Sequence, residues 1–413
     1  MKNPIRFGLA AALVTGLAAW VFGNGAKAAG GPTQTGNNPY HVLAPIESGN
    51  LLLFPVVRAD GKSGAPGDGS LSPGWKSAGD TPFITLDEGL KSGEVEVTEA
   101  GRAHGLVRPR GHGSGNSYRS DEVNTLVLVN HSKHPLLLLA GEIVTGGKQD
   151  RIIAKDRIVP AEGDPIDLSV FCIEPGRWTE SSATFGAAGK SAAKSFMVQP
   201  GVRERAMAAQ DQQEVWNSVH GAIADMEVAA APMASSSSSG YERSVGTTSY
   251  AKVMQDSAVS DKVDEAAAPV MQAREQVLAK LRDEHAVGVV VAVRGEIIWA
   301  DLFASTDLLG RYWTKLVRSY AAESLAEGED HAAPSVADAQ HFLDASSGGT
   351  ENSEGEVGIY RYRELKSNHT ETFVLESLLP GTGYDVHISK MKLRGDESHN
   401  VKPYPIYEPQ IYR

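Results

Sequence analysis

Two hydrophobic rhythms alternate along this chain. A period of two, which sends successive side chains to opposite faces of a strand, runs through "VEVTEAG" (95–101), "VNTLVLVN" (123–130) and "IDLSVFCIE" (166–174). Continuous apolar runs in "NLLLFPVVR" (50–58), "PLLLLAGEIV" (135–144) and "AVGVVVAVRGEIIWADLFAS" (286–305) predict strands buried on both faces. The last run holds two strands joined at Arg294-Gly295. A helical period governs "STDLLGRYWTKLVRSYAAESL", where positions 308, 309, 312, 313, 316, 317, 320 and 321 form one apolar stripe. Ser305 or Thr306 can cap that helix, and Asp307 suits its positive end. A shorter stripe of Val215, Trp216, Val219 and Ile223 predicts another helix, and a third is expected near Val270 to Leu281. The segments "VGIYRYREL", "ETFVLESLL" and "YDVHISKMKL" read as a C-terminal β meander.

Strands and helices therefore coexist without a regular strand-helix-strand alternation. That predicts an α+β fold of mainly antiparallel strands, sandwich or barrel-like, packed with a few amphipathic helices and followed by the small meander. The expected organisation is a signal peptide over 1–28, a polar leader over 29–48 and a main domain over 49–325. An acidic linker over 326–349 and a β extension over 350–413 complete it. Within the main domain the Ser/Ala-rich stretch at about 228–267 is expected to be a flexible insert.

Composition narrows the function classes. Hydrophobic residues make up 41% and charged residues 22%, an ordinary globular balance. The formal charge of -12 argues against nucleic acid as a partner, since that requires a basic face. Lys2 and Arg6, the apolar "FGLAAALVTGLAAWVFG" and the small-x-small "AKA" ending at Ala28 have the three parts of an export signal. Cleavage after Ala28 removes three cations and leaves the mature chain at -15, off the membrane and outside the cytoplasm. The alternative is an uncleaved N-terminal membrane anchor. Cys172 is the only cysteine, so the fold rests on its core rather than on an internal disulfide, and the thiol is expected to pack inside.

The chemistry concentrates at "GEIVTGGKQDRII" (141–153), where Glu142, Lys148, Gln149, Asp150 and Arg151 follow a run of leucines around a Gly-Gly turn. Asp301 likewise shares a strand face with Ile297, Trp299 and Phe303. A buried carboxylate must find a cation or take up a proton, and Lys148, Arg151, Arg177 and Lys315 are the available cations. Glu142 and Asp301 are thus either halves of structural ion pairs or candidate acid-base catalysts. In "EPGRW" (174–178) Arg177 can grip an anion with its fork of donors and Trp178 can stack on a ring. "TFGAAGKSAAKS" is not a phosphate loop, because the first glycine of that motif is Thr184 here. His131 and His134 in "HSKH" are too few for a metal centre, so no metal is expected, and the sequence leaves any cofactor open.

The stretch "GEIVTGGKQDRIIAKDRIVPAEGDPIDLSVFCIEPGRW", with "VGVVVAVRGEIIWADLFAS" and "WTKLVRSYAAES" in the second half, resembles the ARG and Rhodanese-Phosphatase-superfamily-associated Protein domain, a bacterial and archaeal family. The likeness runs from about Tyr40 to Glu323. It covers Gly141, Glu142, Gly146, Gly147, Lys148, Gln149, Arg151, Pro160, Glu174, Gly176, Arg177 and Trp178, then Asp301, Phe303, Trp313 and Tyr320. The family's name implies association with ADP-ribosylglycohydrolase and rhodanese-phosphatase proteins, and it brings no assigned catalytic residue. An export signal would carry this member away from nucleotide-derived substrates.

The expectation is an exported binding module for a small anionic ligand or a protein partner. Lys148, Gln149, Arg151, Glu174, Arg177 and Trp178 would line its site beside Glu142 and Asp301. One alternative is a hydrolase, acting on ADP-ribose-related or phosphorylated substrates, with Glu142 or Asp301 as general base. Another is a structural or interaction protein whose charges fix register.

Overall fold

A computed structural model describes residues 39–58, 82–105, 125–177, 179–189, 191–236, 247–284, 286–345, 349–380 and 384–393. In chain order they form β1 (Tyr40–Val42), β2 (Ile46–Ser48), β3 (Leu51–Arg58), β4 (Ile84–Thr85), α1 (Leu86–Ser92), β5 (Val95–Glu99) and β6 (Thr125–Asn130). Next come β7 (Leu136–Leu138), β8 (Ile143–Gly146), β9 (Arg151–Ile153), β10 (Arg157–Val159), β11 (Ile166–Cys172) and β12 (Phe185–Ala187). A helical block follows with α2 (Pro200–Glu204), α3 (Gln212–Ser236), α4 (Tyr250–Gln255) and α5 (Ser257–Glu284). The chain then builds β13 (Ala286–Val293), β14 (Glu296–Phe303), α6 (Thr306–Glu323) and α7 (Val336–Asp344). It closes with β15 (Thr350–Glu356), β16 (Tyr360–Lys366), β17 (Thr370–Ser377) and β18 (Tyr384–Lys392).

The fold is α+β with mainly antiparallel strands, as the two rhythms predict. Six strands in the order β12-β8-β9-β11-β6-β5 curl toward closure, and the bridge between Thr98 and Thr184 joins the two edges into a nearly closed barrel. Period-two patterning fills its interior: Val97, Leu126, Leu128, Val144, Leu168, Val170 and Phe185 pack in one cluster. A second, nine-stranded sheet runs β1-β3-β13-β14-β18-β17-β16-β15, with β2 also on β3. Its central strands β3 and β13 are buried at every residue, as continuous apolar runs require. One face joins α5, α6 and the barrel in the main core, while the other holds a smaller cluster under α7. Arg294 and Gly295 both take positive φ, at 54° and 79°, in the predicted hairpin between β13 and β14.

The helix α6 starts at the predicted cap, where the Leu308 amide donates to Ser305 Oγ at 3.2 Å. Its apolar stripe is buried, but so are Lys315, Arg318, Ser319 and Glu323 on the flanks. An amphipathic helix would leave those residues in water; α6 instead carries them into the core, where they need partners.

Three expectations are corrected by the structure. "PLLLLAGEIV" is not one strand, since Gly141 turns at φ 87° and separates β7 from β8. The described part of the stretch at 228–267 is mostly helical, in the end of α3, in α4 and in the start of α5, because its alanines favour helix and Val259, Val263 and Ala267 pack into the core. The segment from 350 is no appendage: β18 pairs with β14 from Trp299↔Met391 to Phe303↔His387 and continues the large sheet. Residues 1–38, which hold the expected export signal, lie outside the described residues, as do 394–413. Among the described residues no helix is long and apolar enough to cross a membrane.

Candidate functional site

The charges that stand out in the sequence fall into three groups, all built where β7–β9 meet the helices. The deepest surrounds Asp301 on β14, which is fully buried. Arg203 of α2 grips its carboxylate with both arms, Nη1 to Oδ2 at 2.9 Å and Nη2 to Oδ1 at 3.2 Å. Ser389 of β18 donates to Oδ1 at 2.8 Å, and the Tyr320 hydroxyl of α6 donates to Oδ2. His387 completes the group. Its Nδ1 lies 2.6 Å from Asp156 and its Nε2 lies 3.2 Å from Asp301, so one imidazole bridges two carboxylates.

Two acids thus face two cations with no net charge, which is the condition for burying so many ions together. Burial opposes ionisation of Asp301, yet Arg203 and His387 hold its carboxyl well below the usual range. For His387, burial favours the neutral ring, but Asp156 and then Asp301 outweigh it and push the imidazole up to about 9. Gly141 makes this packing feasible: a Cβ there would lie 2.5 Å from Cγ of Arg203. The guanidinium also donates to the Ala140 carbonyl at 3.2 Å and lies 4.5 Å from the Trp299 ring centroid.

The second group centres on Glu142, which is 1% exposed. Lys315 of α6 reaches Glu142 at 2.6 Å and Asp87 of α1 at 2.9 Å. The Leu139 amide donates to the other oxygen of Glu142 at 2.7 Å. Burial pushes Glu142 up, with Lys315 offsetting only part of that, while the two acids hold Lys315 above its ordinary value despite burial.

The third group is the Gly-Gly turn itself. Gly147 has φ 49°, and a Cβ there would meet Cζ of Phe185 at 2.2 Å, so the turn lies flat on the barrel only as glycine. Around it the Lys148 amide donates to Glu99 at 2.9 Å, and Gln149 Nε2 donates to the Glu174 carbonyl at 3.1 Å. Arg177 pairs with Glu174 at 2.5 Å and with Asp150 at 3.4 Å. Asp150 also accepts from Ser249 at 2.9 Å. Lys252 of α4 reaches Glu174 from the other side at 3.3 Å. Burial, and then Glu174, push Asp150 up; Arg177 holds Glu174 below its ordinary value in spite of burial.

The segments 141–151 and 174–177 therefore meet, bringing Gln149, Arg151, Glu174 and Arg177 to one end of the barrel with the backbone of Lys148. Arg151 is fully buried, under the turn rather than at its surface. Glu142 and Asp301 do not join this end; each is neutralised inside the core, next to Gly141. Trp178 lies outside the described residues. Cys172 is buried, and burial pushes its thiol up, which suits a packed rather than a reactive sulfur.

Sequence reasoning missed Arg203, Asp156, Ser249, Lys252, His387 and Ser389. Tyr312 and Tyr320 carry hydroxyls inside an apolar stripe, a local signal of buried polar partners: Tyr312 donates to the Leu137 carbonyl and Tyr320 to Asp301. Among the described residues no group of three or more His, Cys, Asp or Glu side chains is placed to hold a metal ion. No curated protein and no solved structure matches this chain. The model of the ARG and Rhodanese-Phosphatase-superfamily-associated Protein domain matches residues 39–391, from β1 through the strand that carries His387 and Ser389, and the chain belongs to that family.

Proposed function

We propose that this chain is an exported, non-catalytic binding module that takes a small anionic ligand at the Gly-Gly turn. The observation that carries this reading is the placement of charge there. The carboxylates of Glu174 and Asp150 are buried, at 3% and 8% side-chain exposure, while Arg177 keeps 20% and Lys252 61%. The acids hold the cations in position from below: Arg177 spends its guanidinium on Glu174, Asp150 and the carbonyls of Gly146, Gly147 and Thr179, while Lys252 faces solvent. An incoming carboxylate or phosphate meets Lys252 first, with the guanidinium of Arg177 behind it as a fixed positive charge. The binding reading is favoured over hydrolysis because a general base must come within hydrogen-bond reach of a water or a substrate. Glu142 and Asp301 spend their oxygens on Lys315, Arg203, His387, Ser389 and backbone.

The test is a thermal-shift panel on residues 29–413 with phosphate, sugar phosphates, ADP-ribose, nucleotides and dicarboxylates. A ligand at a hundred times its dissociation constant stabilises the native state by about 2.7 kcal/mol. Lys252→Glu should abolish that shift while leaving the unliganded melting point nearly unchanged, since an exposed ion pair contributes only about 0–1 kcal/mol. If no anion shifts the melting point, or Lys252→Glu responds like the parent, the site is not there. Export is tested separately, by the intact mass of protein recovered outside the cytoplasm, which should lack the first 28 residues.

A further inference from the structure

One end of the large sheet gathers several distant parts of the chain. The strands β14, β18, β17 and β16 run antiparallel side by side, so the start of β14, the end of β18 and the β16–β17 turn fall together. Trp299 pairs with Met391, Lys392 with Thr370 and Glu371 with Lys366. Over that end lies α7, whose Phe342 and Leu343 join Ile297 and Ile388 in the apolar cluster on this face. The loop from α6 to α7 closes a further side. The His331 amide donates to the Arg294 carbonyl at 2.8 Å, and a Cβ on Gly295 would lie 2.4 Å from the His331 carbonyl oxygen. Between these parts lies a hollow of about 760 Å³, the size of an ordinary small-molecule site.

Its lining has a definite chemical character. His331 of the loop, His341 of α7, and Asn368 and His369 of the turn line it together with Phe342. Among the described residues no group bonds the side chains of those three histidines and the asparagine. Their backbones are nevertheless fixed. The His369 amide donates to Ser367 Oγ at 3.3 Å and its carbonyl accepts from Leu393 at 2.9 Å, while a capping box of Ser335 and Asp338 anchors α7. The charged groups of the lining are already spent, since Lys392 pairs with Glu296 and Asp338 accepts from Ser335. One cation against two acids leaves no positive excess to draw an anion. What remains free both donates and accepts: a neutral imidazole has one nitrogen of each kind, and a carboxamide has an accepting oxygen and donating N–H groups. The ligand group that answers both at once is a hydroxyl, which donates one hydrogen bond and accepts others.

We propose that this hollow binds a small neutral polyol, a sugar or a cyclitol. Its hydroxyls bond to the side chains of His331, His341, Asn368 and His369, and the C–H side of its ring rests on the apolar surface of Phe342. Binding is noncovalent. The site is separate from the anion site proposed at the Gly-Gly turn and stands or falls without it.

The experiment is saturation-transfer NMR on the full chain with glucose, galactose, mannose and myo-inositol, followed by titration of the strongest responder. It is run at about pH 8, where an imidazole in water is neutral. The expected result is saturable binding of at least one of these compounds. The double variant Asn368→Ala, His369→Ala should bind it about tenfold more weakly, because each hydrogen bond lost is a factor of about two to ten. Both side chains are exposed and unbonded, so that variant should melt with the parent. His341→Ala, on a different element, should weaken the same ligand and gives an independent reading if the turn variant melts early. Lys252→Glu, at the Gly-Gly turn, should leave polyol binding unchanged. The proposal is overturned if none of the compounds binds, or if the hollow variants bind like the parent. Competitive displacement of the polyol by inorganic phosphate overturns it too, since that would make the hollow an anion site.

Discussion

Neutralising Asp301 with Asn should cost more than removing Arg203, even though the two share one ion pair. In Arg203→Met the Asp301 carboxylate keeps three partners: the Ser389 hydroxyl at 2.8 Å, the Tyr320 hydroxyl and the His387 ring at 3.2 Å. Methionine also refills part of the space over Trp299. The loss is then that of a charged hydrogen-bonded contact, about 2–3 kcal/mol. In Asp301→Asn two cations are left to one acid, Asp156, which His387 already holds at 2.6 Å. His387 can escape by releasing its proton, but a guanidinium cannot, and Arg203 remains charged at zero exposure with the Ala140 carbonyl, Ser389, the Trp299 ring and the more distant Asp156 as compensation. A stranded buried charge costs about 3–5 kcal/mol. Urea denaturation followed by tryptophan fluorescence is a suitable assay, because Trp299 lies directly beneath the guanidinium. The double variant Arg203→Met, Asp301→Asn should be clearly less unstable than the sum of its parts, since neither charge is left behind. Equal or reversed costs, or a loss below about 1 kcal/mol for Asp301→Asn, would refute the view that this network is held by charge balance.

Other outcomes follow from the same geometry. His387 is raised in the folded state from an ordinary 6.5 to about 9, so its contribution is complete below pH 6.5 and disappears as pH rises through 9. That shift corresponds to roughly 3 kcal/mol, and urea midpoints between pH 6 and 10 should fall accordingly in the parent and much less in His387→Gln. Asp301 has the opposite sign: its stabilisation is present above the ordinary carboxylate range and is lost only in strong acid, below that range. Gly147→Ala should cost about 2–5 kcal/mol, combining a positive φ with a clash against Phe185, and would be read as a lowered melting point. A Gly147→Ala protein that melts like the parent would mean the turn is not seated on the barrel as described.

Much of the fold was legible because periodicity is local. The strands of the barrel, the β13–β14 hairpin and α6 with its cap all announce themselves within windows of ten to twenty residues. The meeting of the Gly-Gly turn with Glu174 and Arg177 was legible too, since neighbouring strands carry both. What sequence could not reveal is who neutralises whom. Arg203 looks like a solvent-facing helical residue in "VRERAMAAQ", yet its partner lies 98 positions away. His387 alternates unremarkably along a strand, and Asp156 lies 231 positions before it. Treating the last strands as an appendage hid the His387 contact, because the pairing of β18 with β14 has no local signal. The polar flank of α6 was legible only in part: Lys315 stood among the cations available to a buried carboxylate, but burial of Arg318 and Glu323 is decided only by the elements that close over them.

The position of His387 also bears on how the chain matures. The imidazole that satisfies both Asp156 of the barrel side and Asp301 of the large sheet belongs to the last strand described, so a ribosome must deliver the chain past residue 387 before the two acids acquire their shared proton. Until then the chain up to residue 386 holds two acids, Asp156 and Asp301, against the single cation Arg203 at this place, and early compaction around Arg203 stays incomplete. Fragments ending before residue 387 should remain soft and protease-sensitive, however many of their own strands they contain, and native rigidity should arrive late and all at once.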